Sequence, residues 1–326
     1  AAWINKGDAL RKLNCSQEAI QAFDRALAID PNHAVAWYNK GYALRDLGCS
    51  EEAIQAFDQA LAIDPNYVVA WINKGDALRD LERDEEAIQI YDRALAIDPN
   101  HAAAWAAWYN KGIALSDLKR YVEAIEAYDR VLAIDESLAL AWSNKGNALG
   151  RLNRSEDAIQ AYDRALAIDP NDAGAWNNKG MALYELKRYE EATLTYDRAL
   201  AIDQNDVIAW HNKGLTLGSL NRNEEALQAY DRALAIDQDL TVTWGNKGFT
   251  LAKLNRYEEA IQAFDRALAI DPNDAIAWTN KGAAFCVLKR YAEAIEAYDR
   301  ALAIDASDEY ALRGRNSAID GLKAGG

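Results

Sequence analysis

The residues able to do covalent or metal chemistry are few: Cys15, Cys49 and Cys286, with His33, His101 and His211. A metal site or an activated nucleophile needs such groups at ligand or hydrogen-bond spacing. Neither Cys-x-x-Cys nor His-Glu-x-x-His occurs, and no glycine-rich phosphate loop is present. Three scattered cysteines make no disulfide framework. Cys15 and Cys49 are 34 residues apart at equivalent positions of a repeat. Stacked copies would hold them about 8–10 Å apart, too far for a bridge. His33 and His101 share one turn position, which reads as solvated, and His211 stands in a different register. Carboxylates abound, but Asp58 and Asp64 recur in every copy of the repeat. An active site is one constellation, so a residue copied throughout serves the fold. Glu51 and Glu52 open a helix, where negative charge complements the dipole. No enzymatic activity, cofactor or metal is expected.

The polar group with recognition chemistry is an amide. Asn stands at 5, 39, 73, 110, 144, 178, 212, 246 and 280. Each offers two donors and an acceptor, enough to bind the backbone of an extended chain without reading its sequence.

The elements that would position these amides follow from the spacing of Trp, found at 3, 37, 71 and 105, then at 108, 142, 176, 210, 244 and 278. The period is 34, with one slip of three residues. In the second copy Trp37, Gly41 and Leu44 fall at i, i+4, i+7, and Ala53, Phe57 and Ala60 repeat that spacing after a polar break at Gly48–Ser50. Both are one-face helical patterns. Each copy therefore predicts two antiparallel helices, near Ala34–Leu47 and Glu51–Ile63. Asp64-Pro65-Asn66 ends the copy, because Pro cannot continue a helix and Asn can cap the next. One hairpin cannot bury its own apolar faces, so copies must stack.

This unit resembles the tetratricopeptide repeat, a 34-residue helix-turn-helix. In copy two the resemblance rests on Trp37, Gly41, Ala53, Phe57, Ala60 and Pro65, and equivalents recur along essentially the whole chain. Two positions depart from the family pattern: Lys40 replaces a Leu and Leu44 a Tyr. Lys40 follows Trp37 by three residues, so its stem can lie along the indole while the ammonium reaches water. The expected fold is all-α, a single array of repeats at 1–33, 34–67, 68–101, 105–138, 139–172, 173–206, 207–240, 241–274 and 275–308. Residues 309–326 add a terminal helix with Leu312 at the Trp position and Asn316 at the Gly position. Arg313, Arg315, Asp320 and Lys323 make it polar, as suits a cap. Ala1 is expected to begin inside a first helix, consistent with a piece of a longer protein. The slip lies at Ala102–Trp108, and three residues are almost one helical turn, so a longer first helix in the fourth copy is expected.

By this resemblance the first helices line the concave face of a right-handed superhelix, and similar Asn ladders are implicated in peptide binding by some members. Asn lies two residues after Trp, about 200° around the helix and away from the packed face. Asn39, Asn73, Asn110, Asn144, Asn178, Asn212, Asn246 and Asn280 are the candidate contacts, against the simpler reading that they bond only neighbouring helices or water. Specificity should lie in positions that vary: Tyr38, Tyr42, Arg45, Arg79 and Tyr109 in the early repeats, and Asn147, Tyr184, His211 and Phe249 in the later ones. The first set is charged and aromatic, whereas the later repeats, which also carry Ser143, Asn177, Met181, Leu215 and Thr279, are smaller and more apolar. A further subtype, which clamps the C-terminal carboxylate of chaperones with Lys one residue and Asn five residues after the Trp position, is not matched: copy two has Tyr38 and Tyr42 there, and Asn147 is paired with Ser143.

The formal charge of −15 and pI near 4.7 argue against a phosphate-backbone or anionic-lipid partner. No run of 18 apolar residues could cross a membrane, and Ala1–Leu13, carrying Lys6, Asp8, Arg11 and Lys12, has no signal-peptide core. The sequons Asn14-Cys15-Ser16 and Asn153-Arg154-Ser155 are discounted for the same reason, and a cytoplasmic location is expected. The reading is a scaffold that binds an extended peptide or partner segment. The alternatives are a self-assembling array, or a targeting arm of a larger protein.

Overall fold

The computed structural model describes residues 2–99 and 101–325, so Ala1, expected inside a first helix, lies outside the described residues. Among the described residues every regular element is an α-helix. They form two compact units, one running to Asp169 and the other from Pro170. The first holds α1 (Ala2–Lys12), α2 (Ser16–Ile29), α3 (Ala34–Asp46), α4 (Ser50–Ile63), α5 (Val68–Arg79), α6 (Asp84–Ile97), α7 (Ala104–Asp117), α8 (Tyr121–Ile134), α9 (Ala139–Arg151) and α10 (Ser155–Ile168). The second holds α11 (Ala173–Glu185), α12 (Tyr189–Ile202), α13 (Val207–Ser219), α14 (Asn223–Ile236), α15 (Thr241–Lys253), α16 (Tyr257–Ile270), α17 (Ala275–Val287), α18 (Tyr291–Ile304) and α19 (Glu309–Gly325). Odd-numbered helices are the first of each pair. Within each unit every helix packs on its hairpin partner and on the next first helix, and successive first helices also touch one another.

Sequence accounts for each joint. The first helix ends where one residue turns left-handed: Asn14, Glu82, Lys119, Asn153 and their equivalents have φ near +60°, and Gly48 has φ +75°. The reversed chain then donates back, as in Cys49 N to Leu44 O at 2.9 Å, satisfying a carbonyl that the helix end would orphan. The second helix packs its aromatic against the glycine of the first. A Cβ on Gly41 would lie 2.7 Å from the Phe57 ring, and one on Gly146 would lie 2.7 Å from Tyr162. Phe57 and its equivalents Tyr91 and Phe264 are fully buried. That glycine is what allows two helices to approach within one ring's thickness.

Successive pairs are joined by the lysine that follows Trp. Lys40 Nζ stands 5.3 Å from the Trp37 ring centroid and 2.7 Å from Asp24 of the preceding second helix. Lys74 with Asp58, Lys145 with Asp129, Lys213 with Asp197 and Lys281 with Asp265 repeat the pair at 2.5–2.6 Å. The recurrent Asp is thus one half of a joint between repeats. The indole is fixed too, with Trp37 Nε1 donating to Pro31 O at 2.9 Å and Trp244 Nε1 to Gln238 O at 2.9 Å.

The slip is accommodated differently from expectation. α7 has 14 residues against 13 in α3, so it lengthens by one residue. The rest of the insertion falls before Ala104, where His101 Nδ1 accepts from Ala103 N at 3.0 Å. Ala104 and Ala107 are fully packed and fix where the helix must begin. Trp105 is left partly in water.

Candidate interaction face

The candidate residues all lie on first helices: Tyr38, Asn39, Tyr42 and Arg45 on α3, Asn73 and Arg79 on α5, Tyr109 and Asn110 on α7, and Asn144 and Asn147 on α9. In the second unit Asn178 and Tyr184 lie on α11, His211 and Asn212 on α13, Asn246 and Phe249 on α15, and Asn280 on α17. Within a unit several of them face the neighbouring first helix, because first helices stand side by side. A residue 200° from the packed Trp then meets the flank of the preceding helix.

Two levels of polar rungs result. At the upper level, Asn two residues after Trp reaches the residue one after Trp on the preceding first helix. Asn73 Nδ2 stands 3.4 Å from Tyr38 OH and donates to Val69 O at 2.8 Å, Asn144 Nδ2 donates to Tyr109 OH at 3.0 Å, and Asn212 Nδ2 to Asn177 Oδ1 at 3.3 Å. Where that partner is Ile72 and has no polar atom, Asn110 Nδ2 turns to Asp76 Oδ1 at 2.7 Å. At the lower level, the residue eight after Trp meets the one nine after the next Trp. Arg45 Nε donates to Asp80 at 2.6 Å, and Tyr184 OH lies 3.4 Å from Ser219 Oγ. Arg79 stands 3.5 Å from Asp117 in the same way.

Asp76 gathers these rungs in the first unit. It accepts from Arg45 Nη1 at 3.1 Å, Tyr91 OH at 2.7 Å and Asn110. Burial, and then the Asp76 charge, push the Tyr91 phenol far above its ordinary range, so it stays a neutral donor. Tyr38 is pushed up to about 12, first by burial and then by Tyr67, whose ring centre is 5.1 Å away. In the second unit His211 Nδ1 lies 2.8 Å from Thr243 Oγ1, and burial lowers its pKa.

Much of what remains open between the rungs is apolar. Val35, Leu140, Ile208, Val242 and Ile276 all stand two residues before Trp, and all are exposed. Ile208, Val242 and Ile276 are 62 %, 67 % and 74 % exposed. Five residues after Trp come exposed Met181 and Phe249 in the second unit, against Asp76 and exposed Asn147 in the first. The row before Trp is not among the candidates read from sequence. Its signal is an apolar residue recurring on the face opposite the core, where a helix in water calls for polar ones. Among the described residues no group of His, Cys, Asp and Glu could hold a metal, and the three cysteines are free. Among the described residues no helix is long and apolar enough to cross a membrane.

Two family models, both of the tetratricopeptide repeat, match the chain, one at 4–68, 38–102, 143–207 and 247–309 and the other at 105–138 and 207–240. No curated protein matches it. Among solved structures it is similar to YrrB, described as a tetratricopeptide repeat protein with an unusual peptide-binding site. The identity is 26 %, over 59 % of this chain and 99 % of that one, with a TM-score of 0.52. A tetratricopeptide repeat protein from Parabacteroides merdae is 14 % identical over 77 % of this chain and 98 % of its own, with a TM-score of 0.58. The Cut9–Hcn1 hetero-tetramer of the APC/C is 19 % identical over 93 % and 59 %, with a TM-score of 0.55. The last two share the fold.

Proposed function

This chain belongs to the tetratricopeptide repeat family, and we propose on that premise that it is a protein-interaction scaffold that holds an extended segment of a partner along its first helices. The observation that carries this reading is the exposed apolar row of Ile208, Val242 and Ile276 in the second unit. Large aliphatic side chains left in water at one register of successive helices gain free energy when a partner covers them, about 25 cal/mol per Å². The peptide-binding site of YrrB, a structure of the same fold at 26 % identity, supports the same class of partner.

The asparagines take a secondary part in this reading. Asn144 and Asn212 each use one N–H between helices, and the second N–H and Oδ1 remain for a peptide backbone. The rungs first set the spacing of the helices, and the apolar row then supplies most of the contact. The early repeats offer polar and aromatic neighbours at Tyr42 and Arg45, the later ones Met181 and Phe249.

The test is a pull-down from source-cell lysate with wild type, a Val242→Ser/Ile276→Ser variant and an Asn144→Ala/Asn212→Ala variant. The serine changes are at exposed positions and leave the core intact. The expected outcome is a protein retained by wild type and lost from the serine variant. Equal retention by all three would place the partner elsewhere on the molecule.

A further inference from the structure

In the second unit the apolar row ends in a pocket. Ile276, Thr279, Asn280 and Ala283 of α17 form one wall, Tyr298 of α18 the floor, and Tyr310 of α19 the outer lip, around a cavity of about 550 Å³. Tyr310 is 81 % exposed and Tyr298 is buried, so the pocket runs from a wet aromatic rim to a packed one. Its origin is legible in the repeat. Five residues after Trp, α13 carries Leu215 and α15 carries Phe249, whereas α17 carries Ala283. The missing side chain leaves room for one from outside.

The charge of the pocket is of one sign. Its ionisable rim is Asp305 and Asp308. Asp308 Oδ2 accepts from Thr279 Oγ1 at 2.8 Å, and Oδ1 accepts from the amides of Tyr310 and Ala311 at 2.9 and 3.1 Å. Asp305 accepts from Ser307 N and Oγ, which hold its carboxyl below the usual carboxylate range. Both carboxylates are therefore fixed by neutral donors, with no cation of the chain among them. A side chain entering here must be large and apolar, and what flanks it must be cationic.

We propose that this pocket anchors a large aliphatic or aromatic side chain of a partner segment, with a neighbouring Lys or Arg of that segment on Asp305 and Asp308. The assignment rests on the scaffold reading above and adds the chemistry of the partner to it. The acidic balance of the whole chain favours the same partner by drawing basic segments toward it.

Ala283→Phe tests this without weakening the fold, because Phe249 already occupies the same register in α15 with much of its ring in water. The probe is a fluorescein-labelled extended peptide with a central Lys-Leu-Lys between Gly-Ser flanks, alongside forms with Leu→Gly and with both Lys→Glu. Anisotropy titrations use the full chain as wild type, as Ala283→Phe, and as Gln228→Ala, an exposed position on the second helix α14. The expected result is binding of the Lys-Leu-Lys probe by wild type and Gln228→Ala, and loss of about 10-fold or more in affinity by Ala283→Phe, the scale of one buried aliphatic side chain. Leu→Gly should lose as much, and Lys→Glu should abolish binding. Equal affinity of Ala283→Phe and wild type would overturn the pocket, as would retention of the Leu→Gly probe at full strength, which marks charge attraction alone. No binding of the probe up to about 1 mM, the affinity of a weak single anchor, would overturn it as well. In either case a partner lost from the Val242→Ser/Ile276→Ser variant in the pull-down would leave the scaffold reading standing.

Discussion

His211 stands where a first helix would otherwise show a surface side chain, yet its ring is half-buried against Tyr230, 6.0 Å between centres, with Nδ1 on Thr243. Burial lowers its pKa below the ordinary 6.5, so the folded state favours the neutral ring. Below pH 6.5 the unfolded chain takes up a proton that the folded chain resists. Stability should therefore fall as pH drops through 6.5 toward the folded value, and level off once both states are charged. Denaturant midpoints at pH 7.5 and 5.5 measure this, and His211→Gln should remove that part of the difference. An unchanged pH dependence in the variant would assign it to the carboxylates instead. At this scale the sequence showed which residues vary but not where they point. Tyr38, Tyr109, Arg45 and Arg79 read as ligand contacts from their types, and each is engaged with a neighbouring first helix. The partner of a side chain 35 positions away depends on how closely two helices stand, which no local pattern encodes.

At the scale of elements the glycine–aromatic contact decides how tightly a hairpin closes. Adding the methyl of alanine at Gly146 helps the helix by about 1 kcal/mol through propensity. It also drives a Cβ to 2.7 Å from the Tyr162 ring, which is buried and has no room to swing. Overpacking of this kind costs about 1–3 kcal/mol, so Gly146→Ala should be net destabilising. Gly150 has open space around a Cβ, so Gly150→Ala should be stabilising or neutral. Chemical denaturation of the two variants checks the opposite signs, and a stabilised Gly146→Ala would show that the hairpin has slack. Elements were the most legible part of the sequence. Trp37, Gly41, Ala53 and Phe57 announce the helices and their buried faces, because periods of 3.6 and 34 are properties of order along the chain. The slip was less so: three residues read as an extra helical turn, whereas the packing of Ala104 fixes the helix start and leaves most of them in the turn.

At the scale of the molecule, recurrence separates what holds the repeats together from what they offer to others. Lysine on tryptophan, lysine to aspartate, glycine under an aromatic and the amide rungs return in one repeat after another and join neighbours. The position two before Trp carries little of that work, and the one five after carries it at Asp76 but little at exposed Met181 and Phe249 in the second unit. There the chain shows Leu140 and Asn147 in the first unit, and Val242, Phe249, Ile276 and Ala283 in the second. The scaffold proposed here makes its contact on the first helices, across the apolar row. A photo-crosslinking residue placed at Phe249, on α15, and in a second protein at Gln228, exposed on the second helix α14, tests this most directly. Irradiated in source-cell lysate, the Phe249 protein should capture a defined partner band that the Gln228 protein does not. A band captured from Gln228 and absent from Phe249 would contradict the account.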